Sequence, residues 1–203
     1  MTEKIVIIDY GMGNLHSVNK ALLRVGGAVT ISSEPNVIAQ ADKVVLPGVG
    51  AFGDCMLNLE KYKLLDVIQD ILHSGKPFLG ICLGEQLLFE GSEEAPGVKG
   101  LGYFKGQVEK IKTKEKIPHM GWNKLTLAAP SPLLKEVEGD FVYFVHSYHA
   151  VPEDKGIITA TCDYGTTITA AVGRGNVQAV QFHPEKSSSV GMKILAVFKE
   201  WRP

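Results

Sequence analysis

The chain has 203 residues, 45% of them hydrophobic, and 21 Lys and Arg against 22 Asp and Glu give a formal net charge of −1. This balance argues against a nucleic-acid or anionic-membrane partner, and the length suits a single domain over residues 1–203. No apolar stretch is long enough to cross a bilayer, and the first residues lack the features of a secretory signal. The three cysteines are widely separated and odd in number, so we expect no disulfide framework and a cytoplasmic protein.

The first half of the chain alternates apolar strands with helices. Ile5 to Ile8 is a β-branched run that closes on a Gly-rich turn, after which Asn14 can cap a helix. A second strand covers Lys43 to Leu46, helical spacing runs from about Asp54 to Ser74, and a third strand covers Pro77 to Ile81. The alternation predicts a mostly parallel sheet covered by helices on both faces, with its sites at the carboxyl ends of the strands. Three residues occupy such ends: Asp9, Pro47 and Cys82.

From about Leu101 the pattern changes to shorter strands separated by turns, and a helix from about Ser188 to Trp201 closes the chain. The C-terminal half is therefore expected to be richer in strands than the first half. The predicted strands are Val108 to Lys112, Phe141 to Val145, Ile157 to Thr161, Thr167 to Val172 and Val177 to Phe182.

Cys82 follows an apolar strand and lies between Gly80 and Gly84, directly before a predicted helix. A thiol on a tight strand-to-helix turn points outward and faces the amide groups and positive end of the helix, which stabilise a thiolate. A lone cysteine in an apolar run is more often a small buried hydrophobe. The turn alone therefore does not identify a nucleophile.

A second segment near the C-terminus changes that interpretation. Alternation along a strand would place His183 and Glu185 on the same face, with Pro184 between them at a strand end. A thiol nucleophile needs a base for its proton, and the base needs a carboxylate that fixes its tautomer. Cys82, His183 and Glu185 supply these three catalytic roles.

Two kinds of cofactor site are not supported by the sequence. The turn Gly11-Met12-Gly13-Asn14 has His16 where a dinucleotide-binding fingerprint requires its third glycine, so we expect no nucleotide cofactor. The chain has no Cys-x-x-Cys or His-x-x-x-His pair, and we expect no metal. Three further histidines are expected to be structural or interface residues: His119, His146 and His149.

The segment Gly80-Ile81-Cys82-Leu83-Gly84 and the distant His183-Pro184-Glu185 resemble those of class I, triad-type glutamine amidotransferases. Five segments in order narrow the resemblance to the glutaminase subunits of imidazole glycerol phosphate synthases, over nearly the whole chain. They are Asp9 to Asn14, Leu46 to Phe52, Pro118 to Asn123, Tyr143 to Tyr148 and Gln181 to Ser187.

The resemblance implies a three-layer α/β/α sandwich that hydrolyses L-glutamine and passes ammonia to a cyclase subunit, a (βα)8 barrel, during histidine biosynthesis. Leu83 can offer one oxyanion-hole N–H, and the resemblance places the second at Val49. It also implies substrate-binding residues and a partner interface. The substrate-binding residues are Gly50, Gln86, Ser147 and Tyr148, and the interface residues are Asn14, Trp122, Tyr143 and Lys186. Asn14 could equally be a simple helix cap.

Glu85 departs from the family pattern, which commonly has methionine there, and a carboxylate facing the nucleophile would raise the thiol pKa. We expect Glu85 to point away from Cys82. Three alternatives remain open for the chain. It could serve a chorismate, guanylate or pyridoxal phosphate synthase, it could be a cysteine peptidase on a related sandwich, or it could be a non-catalytic binding module. The last is disfavoured because no triad member is missing.

Overall fold

The structure is a computed structural model that describes residues 3–203. Met1 and Thr2 lie outside the described residues. They belong to the segment for which we expected no secretory signal. The helices are α1 Leu15–Arg24, α2 Pro35–Ala39, α3 Phe52–Lys61, α4 Leu65–His73, α5 Leu83–Gln86 and α6 Ser188–Glu200. The strands are β1 Lys4–Ile8, β2 Ala28–Ser32, β3 Lys43–Gly48, β4 Phe78–Cys82, β5 Gly91–Ser92, β6 Gly106–Lys110, β7 His119–Lys124, β8 Thr126–Leu127, β9 Phe141–His146, β10 Tyr148–Pro152, β11 Ile158–Asp163, β12 Thr167–Arg174 and β13 Val177–Val180.

Eight strands form a central mixed sheet in the order β2-β1-β3-β4-β13-β12-β11-β8. The pairs from β2 through β13 are parallel, and β12, β11 and β8 are added in antiparallel fashion. The register aligns Gly48 with Cys82 on one side of β4 and Val180 with Ile81 on the other. The carboxyl ends of β3, β4 and β13 therefore meet at one edge of the sheet.

Apolar residues of the sheet alternate between two hydrophobic clusters, one on each face. Val44 packs in the cluster that includes Ile68 of α4, whereas the adjacent Val45 packs with Leu22 of α1 and Ile194 of α6. Helices α1 and α6 thus cover one face, and α3 and α4 cover the other. This arrangement confirms the expected α/β/α sandwich, including the strand-rich second half.

Two small sheets lie outside the central one. Strands β10, β6 and β5 form a three-stranded sheet, and β7 pairs with β9 in antiparallel fashion, with Trp122 opposite Tyr143. Strands β2, β7 and β10 were not expected from the sequence. Strand β2 is half-exposed and has no clean alternation, while Gly121 interrupts the apolar character of β7.

Two boundary expectations and the possible helix cap at Asn14 need correction. The helical stretch expected from 54 to 74 is two helices, because Lys63 adopts a left-handed φ of 57° between α3 and α4. Leu57, whose spacing suggested the apolar face of this stretch, is instead 62% exposed. Strand β13 ends at Val180 rather than Phe182. Asn14 occupies the position before α1, but its side chain makes no capping hydrogen bond. Within residues 3–203, no helix is both long and apolar enough to cross a membrane.

Candidate active site

Cys82 occupies a strained turn between β4 and α5. Its backbone has φ 55° and ψ −111°, a region that costs a non-glycine residue roughly 1–3 kcal/mol. The turn packs closely against β3, since a Cβ on Gly84 would lie 1.9 Å from the carbonyl oxygen of Leu46. Only glycine at position 84 allows this approach, and the packing holds the thiol at the sheet edge.

His183 and Glu185 meet by a different route from the one predicted. Strand β13 has already ended, and His183 directly precedes a 3₁₀ turn over Pro184–Lys186. The turn folds the carboxylate back, so that His183 Nδ1 lies 2.8 Å from Glu185 Oε1, with both side chains buried. The interpretation by strand alternation was therefore wrong, although the two side chains do pair.

The backbone around His183 is fixed from two sides. Its N–H donates to the carbonyl of Tyr143 at 2.9 Å, which ties it to β9. Its carbonyl accepts from the Ser187 hydroxyl at 2.6 Å. These bonds set the direction of the imidazole before any ligand is present.

Burial lowers the pKa of His183, but hydrogen bonding from Cys82 and then Glu185, together with their charges, outweighs burial and raises the pKa to about 10. Nδ1 is occupied by Glu185, which leaves Nε2 for proton exchange. Nε2 is buried and has no aligned hydrogen-bond partner among residues 3–203. The sulfur is therefore near enough to affect the imidazole, and Nε2 is the nitrogen through which a proton passes between the ring and the thiol.

Cys82 and His183 open onto one cavity of about 280 Å³ at the carboxyl edge of the sheet. Every residue predicted for catalysis, the oxyanion hole or substrate binding lines it, except Glu185, which lies behind His183. The lining residues are Val49, Gly50, Cys82, Leu83, Gln86, Glu94, Pro118, Val145, His146, Ser147, Tyr148 and His183.

Two polar residues at this site were missed by the sequence analysis. Glu94 is the only carboxylate among the lining residues that the structure describes, and its Oε2 accepts from the N–H of Phe52 at the start of α3. Gln181 lies behind the wall, where its Oε1 accepts from Gln86 at 2.8 Å and its Nε2 approaches Cys82 Sγ at 3.7 Å. Gln181 stands in the motif that contains His183, but no local pattern marks Glu94.

Gln86 is held by the protein through its amide nitrogen. Nε2 donates to the carbonyl of Tyr148 at 3.0 Å and to Gln181. Because both hydrogens of the amide are used, contact with a ligand falls to its oxygen. The side chain is thus oriented in advance along the cavity wall.

The end of β3 lies beside the nucleophile turn and lines the same cavity. The Tyr10 hydroxyl donates to the carbonyl of Pro47 at 2.8 Å, and the Cys55 thiol lies 3.7 Å from the carbonyl of Val49. Gly50 has a left-handed φ of 98°. Leu83 is the first residue of α5. Its N–H therefore has no hydrogen-bond acceptor within the helix.

The match to a family model decides the family. The model described as glutamine amidotransferase class-I matches residues 6–200. This chain belongs to the class-I glutamine amidotransferase family.

Similar proteins agree with this assignment. The imidazole glycerol phosphate synthase subunit HisH of Aquifex aeolicus is 53% identical over 196 residues, covering 96% of this amidotransferase and 95% of the relative. The subunit of the same name from Syntrophotalea carbinolica is 51% identical, with 96% and 98% covered. A solved structure described as a glutamine amidotransferase has a TM-score of 0.76 at 18% identity, covering 96% of this chain and 97% of that one, which supports the fold alone.

Glu85 of the amidotransferase is completely buried beside the nucleophile turn. Neither carboxylate oxygen has a hydrogen-bond partner within the described part of the chain. Burial raises the pKa of Glu85 well above its usual range, and Cys82 makes no contribution to this shift. The raised pKa favours the neutral carboxylic acid, which places no negative charge near the thiol.

Three of the four predicted partner-interface residues form one cluster on the surface. The Trp122 side chain is 52% exposed, and its ring meets that of Tyr143 edge-on at 6.1 Å. Lys186 Nζ lies 5.8 Å from the centre of the Tyr143 ring. The fourth residue, Asn14, lies half-buried at the start of α1.

Proposed function

We propose that this amidotransferase hydrolyses L-glutamine to glutamate and ammonia, and that the ammonia serves a cyclase subunit that makes imidazole glycerol phosphate and an aminoimidazole carboxamide ribotide in histidine biosynthesis. One observation carries the proposal. Cys82 and His183 open onto the same cavity, and His183 is oriented by Glu185. The full-length similarity to HisH subunits supports the choice of pathway.

The raised pKa of His183 favours an imidazolium that has taken its Nε2 proton from the Cys82 thiol, and the resulting thiolate attacks the side-chain amide carbon of glutamine. His183 then protonates the nitrogen as the carbon–nitrogen bond breaks, and ammonia leaves. Water, losing a proton to the same imidazole, attacks the γ-glutamyl thioester, which releases glutamate and restores the thiol. Glu185 accepts a hydrogen bond from His183 Nδ1 and stabilises the imidazolium throughout.

The oxyanion of each tetrahedral intermediate needs N–H donors. Leu83 is proposed to supply one from the start of α5, and Val49 the other from the end of β3. The strand register supports this assignment of the two donors. Gly48 pairs with Cys82, so the residues that follow them, Val49 and Leu83, lie near each other and line the same cavity. The left-handed φ of Gly50 adds to the turning freedom of the peptides around Val49.

The amino-acid end of glutamine carries an ammonium and a carboxylate, and the remaining wall residues are proposed to bind it. Gln86 offers its amide oxygen, while Gly50, Ser147 and Tyr148 complete the wall. Glu94 adds the negative charge that an ammonium group requires. The cavity volume of about 280 Å³ suits one amino acid rather than a peptide.

Ammonia released into water is protonated and loses its nucleophilic lone pair. Direct delivery to a docked partner keeps the ammonia unprotonated and reactive. The partner is proposed to be a cyclase with a (βα)8 barrel, bound through the cluster of Trp122, Tyr143 and Lys186 and through Asn14. Both proteins would work in the cytoplasm, with residues 1–203 acting as one domain. No cofactor or metal is required by this chemistry.

The test is a glutamate-release assay on the purified chain, with and without the cyclase subunit of the same organism. We expect little activity alone and at least roughly tenfold stimulation by the ligand-loaded cyclase, because we propose that the peptide at Val49 turns its N–H inward only when this cyclase is docked, which gates hydrolysis. Cys82→Ala should abolish activity, whereas Cys162→Ala, a buried thiol outside the cavity, should retain it. Persistent hydrolysis by Cys82→Ala would refute the mechanism, and vigorous turnover without a partner would refute the gating.

A further inference from the structure

A line of buried hydrogen bonds joins β7 to the wall of the glutamine cavity. Asn123 Nδ2 lies 3.2 Å from His119 Nε2, and His119 Nδ1 lies 3.0 Å from His146 Nε2. His146 Nδ1 in turn lies 2.8 Å from the carbonyl oxygen of Tyr148. The proposed catalytic chemistry uses none of these three side chains.

The direction of every bond in this line is determined by its two ends. The carbonyl of Tyr148 can only accept, so His146 carries its hydrogen on Nδ1 and leaves Nε2 as an acceptor. His119 must therefore donate from Nδ1, which leaves its own Nε2 as an acceptor. Asn123 can supply that hydrogen, because its Oδ1 accepts from the N–H of Lys124 and its Nδ2 also donates to the carbonyl of Asp163.

Both imidazoles are neutral at physiological pH. Burial lowers the pKa of His119 to about 4. Burial also lowers the pKa of His146 to about 3, against the opposing effect of the Tyr148 carbonyl and with smaller contributions from neighbouring histidines. A proton added to His146 Nε2 would face the His119 donor at 3.0 Å, and one added to His119 Nε2 would face the Asn123 amide donor at 3.2 Å, so the line requires the neutral tautomers.

The line continues from Tyr148 toward the thiol. The same carbonyl oxygen accepts from Gln86 Nε2 at 3.0 Å, and Gln86 also donates to Gln181. Gln181 Nε2 approaches Cys82 Sγ at 3.7 Å. The orientation of the Gln86 amide, which faces the cavity, thus depends on the oxygen that His146 holds.

The other end lies beneath an exposed surface. Met120 and Trp122, which flank the buried line on β7, are 60% and 52% exposed. His119 itself is stacked on Tyr164, with ring centres 4.0 Å apart, and on Phe144, at 4.7 Å. Because β7 is paired with β9, which carries Phe144, a joint displacement of these two strands carries the imidazole with it.

We propose that His119 and His146 are positioning residues that couple the placement of the β7–β9 surface to the Tyr148 carbonyl and the Gln86 amide. The inference rests on the proposed function, since it names how glutamine recognition at that site responds to the partner. Docking on Trp122 would shift β7, and the tautomer-fixed pair would transmit the shift to the cavity wall. Neither histidine touches the reacting atoms in this scheme.

Two variants of His146 separate the two halves of the line. His146→Asn places an amide N–H where Nδ1 was, so it can keep the bond to Tyr148 and lose the link to His119. His146→Gln places an amide oxygen where Nε2 was, so it can accept from His119 and lose Tyr148. The exposed His73→Gln serves as the matched control.

We expect His146→Gln to raise the KM for glutamine about tenfold in the cyclase complex with kcat changed less, corresponding to one lost hydrogen bond. His146→Asn should keep KM within about threefold of wild type but lose most of the stimulation by the cyclase, as expected for one broken coupling. His73→Gln should match wild type in both. Equal KM and equal stimulation in all three variants would overturn the proposal.

A measurement on the unmodified chain keeps the inference testable even if a variant does not fold. The ¹⁵N NMR shifts of His119 and His146 at pH 7 should show neutral rings with hydrogen on Nδ1. A charged ring, or hydrogen on Nε2 of either residue, would overturn the proposal. If the wild-type protein hydrolyses no glutamine with the cyclase present, the proposed function fails. The NMR result would still decide whether the hydrogen-bonded line through His119 and His146 exists.

Discussion

The positive φ of Cys82 is an unfavourable backbone conformation that directs the thiol into the cavity. The strand must end and α5 must begin within one residue, and the thiol must project toward the cavity between them. The strain, roughly 1–3 kcal/mol for such a backbone, is offset by packing of the turn on β3. The side chain then faces His183 without needing a longer loop.

Glu185→Gln tests the electrostatics of the proposed base. The carboxylate and Cys82 raise the pKa of His183 from 6.5 to about 10 against the effect of burial, so removing one of them should lower the pKa. We expect a downward shift in an NMR titration of His183 and a loss of about 100-fold or more in kcat/KM. An unchanged titration would contradict this account of the pair.

The same pair should make folding stability depend on pH with a defined sign. A folded-state pKa above the ordinary value means that the stabilisation is fully present below about pH 6.5 and is lost as pH rises through about 10. The stability difference between wild type and Glu185→Gln should therefore be larger at pH 6 than at pH 10. Urea unfolding at the two pH values measures it.

Glu85→Met should stabilise the protein. The folded state holds a proton on Glu85 that the unfolded chain releases above pH 4.5, so this group makes stability fall as pH rises. We expect a gain of about 1–3 kcal/mol at pH 8 and a smaller gain at pH 5, because two unpaired buried oxygens are removed. Glu85→Gln is the matched control.

The control separates charge from polarity. Glu85→Gln should flatten the pH dependence but gain less than methionine, since its amide stays buried without a partner. Urea unfolding of the three proteins between pH 5 and pH 8 gives the comparison. A methionine variant with the pH dependence of wild type would show that Glu85 is not the group responsible.

At the scale of elements, the site depends on how closely the nucleophile turn approaches β3. A Cβ on Gly84 would lie 1.9 Å from Leu46 O, a backbone atom that cannot move aside alone. We expect Gly84→Ala to lose about 3 kcal/mol or more of stability, or to fail to fold. Gly53→Ala within α3 has its nearest contact at 3.3 Å, on the Ala95 Cβ, and should stay near neutral.

Thermal unfolding of the two alanine variants measures the difference. A Gly84→Ala protein as stable as Gly53→Ala would mean that the turn can move away from β3. The packing argument would then not explain the position of the thiol.

The predictability of the elements follows their burial. The β-branched strand at Ile5 to Ile8 is buried, and sequence pattern alone located it. The half-exposed β2 was missed, and the division between α3 and α4 depends on one left-handed residue, Lys63, that no periodicity reveals. His183 and Glu185 were paired from their spacing, but through the wrong local structure, because the end of β13 depends on its neighbours in the sheet.

Residues that act together only after folding were the hardest to find. Cys82 could be proposed as a nucleophile from its turn together with the distant His183 and Glu185, whereas Glu94 lines the cavity without any local pattern that marks it. The hydrogen bond between His119 and His146 likewise joins residues 27 positions apart. Such contacts depend on the pairing of β7 with β9, which sequence pattern did not predict.

At the scale of the whole molecule, the site and the exposed aromatic cluster share one structural unit. Strand β9 carries Tyr143 at the surface and His146 at the cavity, and Tyr143 also accepts the backbone N–H of His183. A protein bound at the cluster would therefore touch the chain that positions the base. The proposed docking surface and the catalytic base would then be joined by one short strand, β9.

Trp122→Ala should weaken cyclase binding about 30-fold, or about 2 kcal/mol, if the cluster is an interface anchor. Leu23→Ala removes a comparably exposed apolar side chain, 50% against 52%, from α1 and should leave binding unchanged. Titration calorimetry with the cyclase measures both dissociation constants. Equal affinities for the two variants would place the interface elsewhere.

The surroundings of the three cysteines have a practical consequence. Burial raises the pKa of the Cys55 thiol to about 11 and that of Cys162 to about 12, while Cys82 opens onto the cavity. A compact electrophilic dye at neutral pH should therefore mark one sulfur and leave the others untouched. The natural chain can then report its own active fraction by fluorescence, without removal of any cysteine.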